Sequence, residues 1–215
     1  MIHPHTELRF ISPEIGYGVV ATQRIPKGTI TWVLDALDRE FTPQQIAAMD
    51  PLYQDILDTY TYRNNKGNFV LCWDIGRYVN HSFRSNCMTT AYEFEVAIRD
   101  IEAGEQLTDD YGYLNIPRPF KGMDEGSRRK VVYPDDLLRY YPTWDRKLSA
   151  AIRYLDELAQ PLQPLMEAPI WAKAVRIARG EEQMDSILTC YYGPREAALQ
   201  INGHQTDYVD KGKRD

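Results

Sequence analysis

The sequence has few cysteines and no cysteine pair of the kind that binds metal. Its three cysteines, Cys72, Cys87 and Cys190, are an odd number without a Cys-x-x-Cys motif. This count indicates neither a disulfide framework nor a structural zinc site, so no metal is expected. A reducing, intracellular compartment fits best: cytoplasmic for a bacterial protein, nuclear for a eukaryotic protein or a secreted effector.

Positive charge and long apolar runs are also scarce. The formal net charge is −6, which argues against sequence-independent binding to nucleic acid, because such binding needs a basic face. An acidic surface suits a basic polypeptide partner, although charge kept for solubility explains it equally well. No run approaches the roughly 20 apolar residues of a membrane span. The start, Met1 to His5, lacks the basic and apolar regions of a secretory signal.

What is present is enough for a packed core. The chain has 215 residues, 43% of them hydrophobic and 26% charged, which is ordinary for a globular protein of one domain or slightly more. Tyr92 to Arg99 alternates apolar and polar side chains, the pattern of a half-buried strand. This strand lies between two polar turns, Arg77–Cys87 and Gly104–Tyr113. Polar groups packed between short strands are costly unless they are used, so the two turns are candidates for a site.

The two turns carry a resemblance to a known family. Asn80, His81 and Ser82, with Asn86 beyond them, precede the run from Gly104 to Tyr111, and the pair is similar to the signature of SET-domain protein lysine methyltransferases. Upstream, Gly16–Ala21 resembles the first motif of that family, and Ile25–Thr29 resembles its next turn. The segments come in the family's order. Phe83 stands where many members have cysteine, and no Cys-x-Cys cluster follows Tyr111, so the resemblance is to small members without zinc clusters.

The resemblance implies a fold and a division of the chain. The fold is mixed α+β and mainly β, with short antiparallel sheets, a pseudoknot, a helical insert and a helical C-terminal region. Residues 6–115 would form the catalytic domain, with the insert at about 36–72. Residues 116–134 read as a linker or loop, 135–202 as the helical region and 203–215 as a flexible tail. The aromatic-rich start of the C-terminal helices is expected to close the cofactor pocket.

The resemblance also implies a reaction and its residues. The activity would be methyl transfer from S-adenosylmethionine to a lysine amine of a protein substrate, leaving S-adenosylhomocysteine. Tyr111 matches the family's catalytic tyrosine, and Glu105 is expected to be structural. The implied cofactor-binding residues are Gly16, Tyr17, Gly18, Arg77, Asn80, His81 and Tyr111. The implied residues of the substrate channel are Tyr78, Tyr111 and Tyr113. The partner would be a basic protein or peptide, with no membrane or direct nucleic-acid contact.

The position of Asp109 departs from the family pattern. Many members have an aromatic or apolar residue two positions before the tyrosine, where it affects how many methyl groups fit. The substrate amine must be neutral to attack, and a carboxylate facing it would raise its pKa above the ordinary value of about 10.4. The sequence therefore predicts that Asp109 points away from the amine, and the number of methyl groups stays open.

Helices are predicted in two parts of the chain. Thr42, Pro43 and Gln45 form a capping-box pattern, and a second helix follows Asp50, with Ile56, Leu57 and Tyr60 facing inward. In the C-terminal part, helices are predicted from Thr143 to Leu158, from Ile170 to Ala178 and from Met184 to Tyr191.

Two other functions compete with the enzyme. A module that keeps the fold but has lost turnover would bind a basic peptide without modifying it. A hydrolase triad built on His81 and Ser82 is a poorer hypothesis, because no Gly-x-Ser-x-Gly elbow is present.

Overall fold

The computed structural model describes residues 1–193, which form short strands in five small sheets with helices around them. The strands are β1 (Thr6–Ser12), β2 (Gly16–Ala21), β3 (Ile30–Val33), β4 (Arg39–Phe41), β5 (Thr61–Arg63), β6 (Phe69–Leu71), β7 (Asn80–His81), β8 (Cys87–Thr89), β9 (Phe94–Ala97), β10 (Thr108–Asp109), β11 (Phe120–Lys121) and β12 (Val131–Val132). The α-helices are α1 (Pro43–Ala47), α2 (Pro51–Tyr60), α3 (Asp136–Ile152) and α4 (Ala168–Ala178). This mixed α+β architecture is the predicted fold class.

The sheets are small and mostly antiparallel. β1 pairs with β2, β3–β9–β8 and β4–β6–β5 are three-stranded, and β11–β12 is a hairpin. The exception is β7, which runs parallel to β10 with Asn80 opposite Thr108 and His81 opposite Asp109. Two-residue strands contribute little by themselves, so this pairing depends on the packing around it.

The C-terminal helices pack on the central sheet. Phe94 and Val96 of β9 are almost fully buried in one cluster with Trp144 and Leu148 of α3. The side chain of Gln160 continues this contact, because it accepts from the Ile30 N–H at 2.8 Å and donates to the Gly28 carbonyl at 3.1 Å. Helices and sheet therefore share one core.

Several predicted elements need correction. The capping box of Thr42 and Gln45 is present, but Ile56 is 51% exposed while Leu57 is buried, so α2 turns less of its surface inward than predicted. The third helix begins at Asp136, before the predicted cap at Thr143, and it contains Pro142. The helix predicted over Met184–Tyr191 is only a short 3-10 helix, Ile187–Cys190.

The segment predicted as a linker also has structure. Within residues 116–134, β11 and β12 pair, with Phe120 opposite Val132. The predicted tail, 203–215, lies outside the described residues. Within residues 1–193, no helix is both long and apolar enough to cross a membrane.

Candidate active site

The two polar turns meet through the parallel pair of β7 and β10. Asn86 joins them further, because its Nδ2 donates to the Gln106 carbonyl at 2.7 Å and its Oδ1 accepts from the Thr108 N–H at 2.8 Å. Glu105 makes an ion pair with Arg99 at 2.6 Å and accepts from the Glu102 N–H. Its role is therefore structural, as predicted.

Tyr111 lies at the junction of these turns. Its hydroxyl donates to the Val79 carbonyl at 2.8 Å, and its backbone N–H donates to Nδ1 of His81 at 3.2 Å. The Tyr111 and His81 ring centroids are 5.4 Å apart. Both bonds bridge residues about 30 positions apart in the chain, so the tyrosine ring is held against the first turn.

His81 is neutral and has one unused donor. Burial and, to a smaller extent, the positive charge of Arg129 lower its pKa to about 4. Since Nδ1 accepts a hydrogen bond, the single ring hydrogen lies on Nε2. This buried nitrogen has no hydrogen-bond partner among the described residues, and a buried donor in that condition is a place where a ligand acceptor fits.

The glycine-containing strand β2 passes close to Asn80. The Asn80 side chain donates to the Tyr17 carbonyl at 3.0 Å and to Oε1 of Gln106 at 3.2 Å. A Cβ on Gly18 would lie 2.7 Å from the Asn80 amide nitrogen and 2.5 Å from Gln106 Oε1, so only glycine permits this approach. Gly16 has φ +79° and open space around it. The structure thus brings together the predicted residues of the first motif and Asn80.

A cavity of about 370 Å³ opens beside Tyr111. Its wall includes Arg77, Glu95 and Asp109 together with aromatic residues of the insert and of the following segment, among them Tyr60, Tyr62, Phe69 and Phe120. Pockets that take a side chain or small ligand are mostly apolar with a few placed polar groups. This cavity has that composition.

Two predicted channel residues do not line this cavity. Tyr113 is 1% exposed, and its ring packs edge-on against Trp144 with centroids 5.2 Å apart. It belongs to the core, because the apolar surface of α3 covers it. Tyr78 stands behind Tyr60, with ring centroids 5.2 Å apart, and is absent from the wall. Arg77 does line the cavity, with its guanidinium donating to the Trp73 carbonyl at 3.1 Å.

The sequence predicts that Asp109 points away from the substrate amine, and this stays a prediction. The structure places Asp109 in the wall of the cavity that contains Tyr111, with its Oδ1 accepting from the Tyr113 hydroxyl at 2.8 Å. Burial raises the pKa of Asp109 to about 6. Its negative charge, in addition to burial, raises the pKa of Tyr111.

The β11–β12 hairpin covers His81. Phe120 packs edge-on against His81, with centroids 5.4 Å apart, and a Cβ on Gly122 would lie 3.0 Å from the same ring. Arg129 lies between β11 and β12, and its guanidinium pairs with Asp110 and with Asp136 at the start of α3. The prediction that the start of the C-terminal helices closes the cofactor pocket stays a prediction.

Several wall residues were not assigned to the site from the sequence, among them Tyr60, Tyr62, Phe69, Glu95 and Phe120. Glu95 stands on the polar side of an alternating strand, which is normally the side that faces water. The others lie outside the recognised motifs. Among residues 1–193, no group of three or more His, Cys, Asp or Glu side chains is placed to hold a metal ion.

A comparison with family models agrees with this geometry. Residues 16–112 match the model described as SET domain. The match begins in β2 and ends one residue after Tyr111, so it includes the glycine strand, both turns and the junction between them. The activity for which this family is known is protein lysine methylation. Over these residues, the chain is a SET domain.

Proposed function

We propose that this protein is an S-adenosylmethionine-dependent protein lysine N-methyltransferase. The observation that carries the proposal is the junction at Tyr111: its hydroxyl and its N–H are fixed to Val79 and His81, at the end of a cavity large enough for a lysine side chain.

The residues around β2 and β7 fit the proposed donor. Gly16, Tyr17 and Gly18 present backbone next to Asn80, and His81 offers the unpaired Nε2–H described above. Arg77 supplies a positive charge that suits the donor's carboxylate. When bound, S-adenosylmethionine supplies an electrophilic methyl group on a sulfonium.

The contribution of the protein is mainly geometry. Methyl transfer is an in-line displacement, and fixing the reacting atoms in line contributes up to about 7–11 kcal/mol in favourable systems. Tyr111 would orient the methyl group through weak C–H···O contacts to its oxygen. Aromatic walls such as Tyr60 and Tyr62 would hold the aliphatic part of the lysine and exclude water.

The substrate would be a basic segment of a protein. The chain carries a net charge of −6. Complementary charge raises the rate of encounter with a basic partner.

The test is methyl transfer from radiolabelled S-adenosylmethionine to an array of lysine peptides. We expect label on a subset of peptides, with loss of at least 10²-fold in Tyr111→Phe while donor binding, measured by calorimetry, persists. Donor binding without transfer to any lysine peptide or protein fraction would support the alternative, a module that binds a basic peptide without modifying it. No donor binding at all would end the proposal.

A further inference from the structure

Two carboxyl groups meet inside the cavity wall. Glu95 projects from the face of β9 opposite Phe94 and Val96, and Asp109 projects from β10. Both line the cavity that contains Tyr111. Each carboxyl group acts on the pKa of the other, so the two lie close together. Since an ionised carboxylate can only accept, a hydrogen bond between them forms when one of the two keeps its proton.

The surroundings favour one shared proton. Burial raises the pKa of Glu95 well above its usual range, and the Asp109 charge raises it further. The pKa of Asp109 is raised by burial to about 6, although the hydrogen bonds from Tyr113 and Glu95 oppose this. At neutral pH the pair therefore carries about one negative charge in place of two.

The other ionisable groups around the pair are mostly uncharged. The tyrosine and cysteine side chains beside the pair have pKa values raised by burial, so they stay protonated near neutral pH: Tyr62, Cys72, Cys87, Tyr111 and Tyr113. The charged groups that act on the pair are Asp110, which raises the pKa of Asp109, and the amino terminus, which lowers that of Glu95. The guanidiniums of Arg63, Arg77 and Arg118 also line the cavity, but the main influences on the pKa values of the pair come from the groups named above.

A second, independent feature of the same wall points to a ligand. Trp32 lies opposite Glu95 in the β3–β9 register and is 5% exposed, and its indole Nε1–H has no hydrogen-bond partner among the described residues. It lies near Gly76, another wall residue, where a Cβ would be 3.4 Å from the nitrogen. Glu95, when protonated, donates to Asp109, and its carboxyl group accepts no hydrogen bond from the described residues. The carboxyl pair can therefore accept a hydrogen bond from a bound ligand, and the Trp32 N–H can donate one to an acceptor atom of that ligand.

We propose that Glu95 and Asp109 together bind the ammonium group of the substrate and accept its proton before methyl transfer. This inference rests on the proposed function. One proton passes from the substrate nitrogen to the Asp109 carboxylate, the N–H bond breaks and an O–H bond forms. The pair becomes neutral, and the nitrogen keeps the electron pair with which it attacks. The proton returns to water when the product leaves.

A carboxylate at position 109 was expected to oppose methyl transfer, because it would raise the pKa of the substrate amine. A proton shared between Glu95 and Asp109 removes this objection. Two full charges would hold the amine as ammonium, whereas a pair with one charge attracts it and then loses that charge when it takes the proton. An acid whose pKa is raised towards the pH of the reaction is also a better proton acceptor than an ordinary carboxylate.

The pH dependence of single-turnover methyl transfer tests the proton step. Asp109→Asn keeps the shape of the side chain but removes the carboxylate that accepts the proton. We expect the rate at pH 7.5 to fall by about 10²-fold, and the acidic limb of the profile to be lost. The control is Glu93→Gln, which changes an exposed acid beside β9. An Asp109→Asn rate within twofold of the wild type, or an unchanged acidic limb, overturns the proton step.

Binding of n-butylammonium tests the cation site without any turnover. Titration of the probe, followed through the ¹³C signals of labelled carboxyl groups, should perturb Glu95 and Asp109 in the wild-type protein. The double variant Glu95→Gln and Asp109→Asn, with its fold checked by circular dichroism, should lose at least tenfold in affinity. Equal binding by both proteins overturns the ammonium site. This binding experiment needs no substrate peptide, so it gives a result even if the protein is not a methyltransferase. Normal methyl transfer by the double variant would overturn the role of the carboxyl pair and leave the proposed function intact.

Discussion

The two faces of β9 have the same backbone but different surroundings. Phe94 and Val96 face the core that α3 and α4 cover, whereas Glu95 faces the cavity beside Tyr111. On the first face, packing decides which residues are tolerated. On the second, charge and proton sharing decide it. The comparison shows that alternation identifies which side chains share a face but does not show whether the polar face meets water or an enclosed site.

The packed face should be the more sensitive to truncation. Phe94 is 1% exposed in the cluster with Trp144 and Leu148, so Phe94→Ala leaves a cavity and should cost about 3–5 kcal/mol of unfolding free energy. Urea unfolding measures it. Leu52→Ala, at a site 75% exposed, should change stability by no more than about 0.5 kcal/mol. Similar small losses in both variants would contradict the described core.

Arg129 connects the turn that contains Tyr111 to helix α3. Its guanidinium pairs with Asp110, which begins the Tyr111 turn, and with Asp136, which begins α3. Arg129→Met leaves two buried carboxylates without a cation and should cost about 3 kcal/mol. Thermal and urea unfolding measure the loss. Arg139→Met, which removes an exposed ion pair with Asp135, is the matched control and should cost less than about 1 kcal/mol.

The junction at Tyr111 could be predicted from the sequence because both turns match motifs of a known family, although they lie about 30 residues apart. Asn80, His81 and Tyr111 occupy turns whose order and spacing are recognisable, and the capping box at Thr42 is a local pattern. The cavity wall could not be predicted in the same way. It is assembled from the insert, β9 and the β11–β12 hairpin, and only the tertiary fold brings these segments together.

The start of α3 was missed for a related reason. Pro142 lacks an N–H, and a proline normally marks a helix boundary. Here Leu137 and Leu138 are buried before it, and Trp144 and Leu148 after it. Packing on both sides of the proline outweighs the loss of one backbone hydrogen bond. Local preference is a weak guide where long-range packing is this extensive.

A substitution in β2 should lower the free energy of unfolding by an intermediate amount. Gly18→Ala places a Cβ against Asn80 and Gln106 and should cost about 1–3 kcal/mol of stability, with weaker binding of S-adenosylmethionine because the Asn80 amide must move. Calorimetry and thermal unfolding measure the two effects. Adding Gln106→Ala removes the nearest contact at 2.5 Å and should restore part of the stability. No recovery would mean that the backbone, and not this contact, carries the strain.

A substitution on the cavity-facing side of β9 should have the smallest effect on stability, and it should stabilise the protein. The pKa of Glu95 is raised in the folded protein, mainly by burial, while in the unfolded chain it ionises near pH 4.3. Between these pKa values the unfolded state has lost a proton that the folded state keeps, so rising pH destabilises the wild type. Glu95→Gln removes this dependence, so its melting temperature should exceed that of the wild type by about 2–4 °C at pH 8. At pH 4 the two should agree more closely. Glu93→Gln, at an exposed site, should show no such trend. A Glu95→Gln variant that is less stable than the wild type at pH 8 would mean that the carboxyl group is ionised and stabilised in place, and the two faces of β9 would then differ less than the shared proton requires.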